Sequence, residues 1–234
     1  MSAPDWLDPL LDAVRRPETA SLFPPPANLE RGLRRSAVLI LFGEGPSGPD
    51  VLLIERSADL RSHAGQPAFP GGGIDADDDG PVGAALREAE EETGLDPAGV
   101  DVLVALPELW VPPSGNVVTP VIAWWREPSD VHAADQREVA AVARVPIGDL
   151  TDPANRLTIS HPSGRIGPAF EVADMLVWGF TASVLDRLLA IAGWERPWDR
   201  DRVAELPAEA LRLAMRQRQP RPAPDAVDTD QAGR

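Results

Sequence analysis

Acidic side chains and one arginine are concentrated between Asp79 and Gly94 of this 234-residue chain. Glu88, Glu91 and Glu92 are spaced three and four residues apart, which places their carboxylates on one face of a helix. Carboxylates held together in this way repel each other when they are ionised. A bound divalent cation removes that repulsion, and an all-oxygen ligand set favours Mg²⁺, Mn²⁺ or Ca²⁺ over zinc. The segment therefore indicates a metal site suited to pyrophosphate chemistry.

The helix that must carry these carboxylates has recognisable ends. Pro81 suits a first helical turn, Asp79 or Gly80 can act as its cap, and Gly94 provides a left-handed stop. An apolar stripe for docking on the core is expected roughly opposite the acidic face. Its members are Val82, Leu86, Ala89 and Thr93.

Two other interpretations compete with a metal site. An isolated acidic run is most often solvated surface, but here a glycine loop, Gly71–Gly73, precedes the run at a fixed distance and Arg87 lies beside it, within reach of Glu91. A calcium-binding EF-hand loop could begin at Asp75, but its twelfth position, which requires a bidentate Glu, is Leu86. The metal site is therefore favoured over both alternatives.

The stretch from Gly73 to Leu95 resembles the Nudix box, G-x5-E-x7-R-E-U-x-E-E-x-G-U, in which U is apolar. The matching positions are Gly73, Arg87, Glu88, Ala89, Glu91, Glu92, Gly94 and Leu95. The resemblance implies an α+β fold, the Nudix-type α/β/α sandwich with a mixed sheet. It also implies a Mg²⁺ or Mn²⁺ cofactor held by Glu88, Glu91 and Glu92, with Arg87 as the catalytic residue that orients these carboxylates.

The segment just upstream resembles the extra motif of coenzyme A pyrophosphatases, roughly L-L-T-x-R-S-x3-R-x3-G-x3-F-P-G-G. It runs from Leu52 to Gly72, with Ile54 at the Thr position and Pro67 at a position that is usually Val. Forked arginine side chains suit phosphate, and His and Gln can bond base, ribose or phosphate. The substrate-binding residues that the resemblance implies are Arg56, Arg61, His63, Gln66, Gly71, Gly72 and Gly73.

The register of the acidic turn has two solutions. The box pattern places its first acidic residue at Asp79, with Asp where the pattern has Glu. The coenzyme A family instead has Asp-x-x-Asp after the glycines, which fits Asp75 and Asp78 and makes Asp78 the counterpart. Both solutions remain open from the sequence. On composition alone, Arg56 and Arg61 also have a second interpretation, as surface residues paired with neighbouring acids.

Two residues downstream could complete the site. Trp110, at the start of a Pro-rich loop, could stack on adenine or could equally pack in the core. Glu138 matches a Glu-Val that recurs in the family, and it could reach the metals or the attacking water, or simply be a solvated residue at the start of an element. The candidates for the general base are Glu91 and Glu138.

Composition restricts the partners. All 22 basic residues are Arg and the net charge is −15, which disfavours nucleic acid as a ligand. The absence of Cys excludes disulfides, thiol catalysis and a cysteine zinc site. No signal peptide or membrane span is recognised, so a cytoplasmic protein without a membrane partner is expected. A homodimer is left open.

The chain is expected to consist of a helix and Pro-rich connector over 1–28, a Nudix-type domain over 29–195, a helical extension over 196–217 and a disordered tail over 218–234. Apolar runs bounded by Gly and Pro predict strands. The expected elements are strands at 37–42, 51–54, 68–69, 100–106, 117–124 and 138–145, a hairpin within 156–170, and helices at 4–15, 174–192 and 199–217.

The function predicted from these features is metal-dependent hydrolysis of the diphosphate of coenzyme A or its derivatives. The products implied by the family resemblance are 3′,5′-ADP and (acyl-)4′-phosphopantetheine, so the partner is a small nucleotide. One alternative is another nucleoside diphosphate derivative, such as ADP-ribose or a dinucleotide. A nucleotide-sensing module without hydrolysis is a further alternative, against which the retained Arg87, Glu88, Glu91 and Glu92 argue.

Overall fold

A computed structural model describes residues 3–16, 34–60, 63–111 and 116–216. The predicted connector, the predicted tail and Arg61 lie outside the described residues. Within them, strands and helices form mixed sheets with flanking helices, as expected for the α+β class. No helix in these parts of the chain is both long and apolar enough to cross a membrane.

The larger sheet is mixed and contains eight strands: β1 (Arg35–Gly45), β2 (Gly48–Arg56), β3 (Pro67–Ala68), β4 (Gly71–Gly73), β5 (Val100–Ala105), β6 (Leu109–Val111), β7 (Asn116–Trp125) and β8 (Val139–Pro146). A hairpin, β1–β2, forms its centre, and β1 pairs in parallel with β7 while the other pairs are antiparallel. Outward from this centre, β5 and β6 pair with β7, β3 and β8 pair with β2, and β4 pairs with β1.

Helices cover both faces of this sheet. Side chains alternate along β1, so that Leu39 and Leu41 face one side while Ile40 and Phe42 face the other. The described helices are α1 (Asp8–Val14), α2 (Gly80–Thr93), α3 (Ile147–Thr151), α4 (Gly179–Ile191) and α5 (Ala208–Arg216). Helix α2 packs on the first side, and α1 and α4 pack together on the second. The result is the expected α/β/α sandwich.

The predicted ends of α2 are confirmed. Pro81 lies in its first turn, and Gly94 adopts the left-handed conformation with φ of 69°, from which its N–H donates to the Glu90 carbonyl at 2.8 Å. The helix docks on the sheet mainly through Ala84, Ala85 and Ala89, which are fully buried. The predicted apolar stripe is thus confirmed: Ala89 and Thr93 are buried, and Val82 and Leu86 are partly buried and pack against the same core.

A second, four-stranded sheet corrects two of the predicted helices. Its strands are β9 (Arg156–Ser160), β10 (Ile166–Val172), β11 (Met175–Val177) and β12 (Val203–Glu205), in the order β11-β10-β9-β12. Helix α4 begins at Gly179 rather than near residue 174, because Ala173 and Asp174 have positive φ and turn the chain into β11. Helix α5 begins at Ala208 rather than near residue 199, because β12 first pairs with β9. The predicted hairpin is β9–β10.

Candidate active site

The glycine segment is a strand rather than the predicted loop. Residues Gly71–Gly73 form β4, which pairs antiparallel with residues Ser36–Val38 of β1. A side chain cannot be accommodated at Gly71, since its Cβ would lie 2.3 Å from the Ala37 carbonyl oxygen. The absence of side chains therefore allows β4 to lie close against β1 while its other contacts are directed at α2.

Each glycine of β4 contacts a different charged residue of α2. The Gly71 N–H donates to Glu92 Oε2 at 2.9 Å, and the Gly73 carbonyl accepts from Arg87 Nη2 at 3.0 Å. Glu88 lies directly against Gly72, because a Cβ at Gly72 would be 2.4 Å from the Glu88 carboxyl carbon. The strand thus fixes the positions of three predicted catalytic side chains.

Arg87 connects most of the acidic groups. Its Nε and Nη2 donate to the two oxygens of Asp78 at 2.9 and 3.0 Å, in a bidentate pair. Its Nη1 donates to Glu88 at 3.0 Å and to Glu91 at 3.2 Å. These bonds lower the pKa of Asp78 and raise the pKa of Arg87. One guanidinium therefore orients three carboxylates.

The structure brings Asp78, not Asp79, to the arginine. Asp78 Oδ2 also accepts the N–H of Asp75 at 2.8 Å, and the Asp75 carboxylate lies 3.8 Å from Arg87 Nη2. Asp79 is exposed at the start of α2, and its side chain caps no N–H of the described helix. These contacts favour the Asp-x-x-Asp register, with Asp75 and Asp78 as its acids.

Glu92 is the deepest acidic side chain of the site, with 3% of its surface exposed. Its Oε1 accepts a hydrogen bond from Arg56 Nη1 at 3.2 Å, and its Oε2 accepts the bond from Gly71 described above. Burial raises the pKa of Glu92 to about 7, and the charges of Glu88 and Glu138 act in the same direction. The side chain is consequently close to its titration point at neutral pH.

Glu88 and Glu138 add negative charge near Glu92, and Glu91 adds negative charge near Glu88. Glu88 is half-buried, and burial raises its pKa, with Glu91 and Glu138 adding to the effect. Glu138 is exposed just before β8, where its carbonyl accepts the Ser57 N–H at 2.8 Å. All four predicted acids therefore belong to one electrostatic cluster. Within the described ranges, no three acidic or histidine side chains already converge into a preformed cation site.

The segment upstream of the glycines reaches the same cluster through Arg56. This side chain is largely buried and pairs with Glu92 rather than with its neighbour Glu55, so the interpretation of Arg56 as a surface residue is wrong. Its Nε is buried and has no hydrogen-bond partner among the residues described. The pair joins positions 36 residues apart, and no periodic signal in the sequence could have indicated it.

His63 and Gln66 form a tight turn attached to the Arg56 backbone. Gly65 N–H donates to the Arg56 carbonyl at 2.9 Å, and Arg56 N–H donates to the Gln66 carbonyl at 3.2 Å. His63 Nδ1 is 3.1 Å from Gln66 Oε1, and His63 has a φ of 56°, which is uncommon for a residue other than glycine. The two predicted substrate residues therefore bond to each other and lie next to Arg56.

Trp110 does not pack in the core. Its side chain is 48% exposed at the middle of β6, which rules out the packing interpretation. The Pro-rich residues 112–115 lie outside the described residues.

Comparison with known proteins identifies the family. The chain matches the NUDIX domain over residues 32–165. It is 38% identical over 183 residues to the uncharacterized Nudix hydrolase NudL of Citrobacter koseri, covering 75% of this chain and 92% of that protein. It is 39% identical over 163 residues to NudL of Escherichia coli K12, covering 66% and 81%. A solved Nudix hydrolase from M. smegmatis, RenU, is 25% identical with a TM-score of 0.49, over 71% of this chain and 90% of that one. The chain is a member of the Nudix hydrolase family.

Proposed function

We propose that this Nudix hydrolase is a divalent-metal-dependent pyrophosphatase that acts on coenzyme A or its derivatives. The bond cleaved is the phosphoanhydride of the diphosphate, and water supplies the new oxygen. The products are 3′,5′-ADP and 4′-phosphopantetheine, or its acylated form. The single observation that carries the substrate assignment is the Arg56–Glu92 pair, because it joins the coenzyme A-type segment to the acidic helix.

Hydrogen bonds connect the coenzyme A-type segment to the acidic helix α2. The turn at His63–Gln66 is hydrogen-bonded to the Arg56 backbone, and the Arg56 guanidinium bonds Glu92 of α2. Groups that recognise the nucleotide can therefore lie beside groups that act on its diphosphate. Arg56 is suited to a substrate phosphate because its guanidinium is a forked, charged donor that lies beside Glu92.

The donor set fits Mg²⁺ or Mn²⁺. Glu88, Glu91 and Glu92 offer only oxygen, which both ions prefer. Burial is the main cause of the raised pKa values of Glu88 and Glu92, and neighbouring carboxylates add to it, so a bound cation would favour the ionised form of both groups. Glu88 and Glu91 would exchange their present bonds with Arg87 for the metal. Bound there, the ion would neutralise charge on the phosphates and activate water.

The protein's own residues position these groups. Arg87 is itself held by Asp78 and by the Gly73 carbonyl of β4, so it stays beside the α2 carboxylates when Glu88 and Glu91 turn to the metal. The proton of the attacking water requires an accessible base. Glu91, with 59% of its side chain exposed, and Glu138, also exposed, both meet that condition. Trp110 is exposed and available to stack on adenine.

A substrate panel tests the proposal. Coenzyme A, dephospho-coenzyme A, ADP-ribose and a diadenosine polyphosphate would be compared with Mg²⁺, with Mn²⁺ and with a chelator. The highest kcat/KM is expected for coenzyme A or an acyl derivative, with no turnover in chelator. Turnover of ADP-ribose with coenzyme A left intact would overturn the substrate assignment, and undiminished turnover in chelator would overturn the metal dependence.

A further inference from the structure

Helix α5 lies outside the residues matched to the family domain, yet it is packed onto the molecule. Its anchor, Leu206, is buried among Leu157, Ile159 and Ala169 of the second sheet. Ala210 and Leu211 pack against the same cluster. Ala210 and Leu213 are three residues apart on α5 and therefore lie on one face of the helix, so Leu213 continues this packed face beyond the cluster on the second sheet.

Leu213 ends against the turn that carries the predicted substrate residues. It is 7% exposed, and its Cδ1 lies 2.6 Å from the place that a Cβ on Gly65 would occupy. Gly65 also has a φ of 63°, which favours glycine independently of space. The contact is therefore a close packing of a leucine methyl on bare backbone.

Hydrogen bonds join the turn that Leu213 contacts to the candidate active site. Gly65 donates to the Arg56 carbonyl, and Arg56 in turn bonds Glu92. His63, two residues before Gly65, holds a positive φ of 56°. Such a conformation persists only where the surroundings enforce it. Leu213 supplies part of these surroundings, because it packs on Gly65 of the same turn.

We propose that Leu213 is a positioning residue, and that α5 serves to hold the His63–Gln66 turn in its substrate-binding conformation. The inference rests on the proposed function for the identity of the substrate, but the packing on which it is built does not. Loss of the contact should loosen the turn, weaken substrate binding and leave the α2 carboxylates and their chemistry in place.

The test compares Leu213→Ala with Leu211→Ala in the full chain. Both changes delete the same atoms from α5, but Leu211 packs on the second sheet. Leu213→Met, which retains bulk, serves as the conservative variant. Two readouts are taken: amide hydrogen exchange of residues 63–68 without substrate, and kcat and KM separately for coenzyme A.

In Leu213→Ala, exchange at the Gly65 and Gln66 amides should rise about tenfold and KM about fivefold, with kcat within about twofold of wild type. Leu211→Ala and Leu213→Met should resemble wild type in both readouts. Unchanged exchange at the turn, or equal effects of the two alanine variants, would overturn the inference. If wild type leaves coenzyme A intact, the proposed substrate fails, while the exchange comparison still decides the role of Leu213.

Discussion

Replacing Glu92 by Gln should change how the stability of the metal-free protein depends on pH. Burial raises the pKa of Glu92 from 4.5 to about 7 in the folded state. Between these values the folded protein binds more protons than the unfolded chain, so the free energy of unfolding falls as pH rises. The contribution of Glu92 is complete below pH 4.5 and is lost as pH rises through about 7.

The gap between the two pKa values corresponds to about 3 kcal/mol of unfolding free energy. Little of this is screened by solvent, because Glu92 is 3% exposed. Gln keeps the size of the side chain and can still accept the Gly71 N–H through its amide oxygen. It cannot ionise, so the contribution of Glu92 to the pH dependence of stability should disappear while the fold is retained.

The measurement is urea unfolding at pH 5 and pH 8 in the presence of a chelator. Wild type should lose about 2.5 kcal/mol more than Glu92→Gln between the two pH values, because part of the Glu92 contribution is already lost at pH 5. Glu90→Gln, an exposed change on the same helix, is the matched control and should follow wild type. Adding Mg²⁺ at pH 8 should stabilise wild type more than Glu92→Gln by mass action. If the stability of wild type and of Glu92→Gln depended on pH in the same way, the pKa of Glu92 would not be raised in the folded protein.

Three further changes probe the site. Glu91→Gln should lower kcat by at least about 100-fold with unchanged thermal stability, since the side chain is exposed; steady-state kinetics showing wild-type turnover would contradict its assigned role. Gly72→Ala places a Cβ 2.4 Å from the Glu88 carboxyl carbon. Because Glu88 must then move, kcat/KM should fall about 100-fold. An unshifted Glu88 in a crystal structure of the variant would count against this explanation. Arg87→Lys keeps the charge but loses the bidentate bond to Asp78. Activity should therefore fall at least tenfold, roughly the loss of one charge-assisted bond. Wild-type kcat and KM in this variant would show that the bidentate bond is dispensable.

The parts of the site that the sequence predicted are those encoded locally. The ends of α2 follow from Pro81 and Gly94, and the reach of Arg87 to Glu91 follows from one helical turn. Both depend on residues close together in the chain, where backbone preferences and periodicity are informative.

The parts that were missed depend on pairing between distant segments. The glycines of β4 form a strand only because β1 lies alongside, and the partner of Arg56 is set by how β2 meets α2. Helix α5 starts late for the same reason, because β12 pairs with a strand more than forty residues earlier. Glycine composition and helical periodicity carry no information about such partners.

The identity of the products formed from coenzyme A is the most direct test of whether the protein hydrolyses the diphosphate of coenzyme A. Wild-type protein and Glu91→Gln would each be incubated with coenzyme A and Mg²⁺. The products would be separated and quantified by chromatography and identified by mass spectrometry. Wild type should give equal amounts of 3′,5′-ADP and 4′-phosphopantetheine, and Glu91→Gln should give at most about one hundredth of either in the same time. Intact coenzyme A with wild type, under conditions in which ADP-ribose is cleaved, would contradict the substrate assignment.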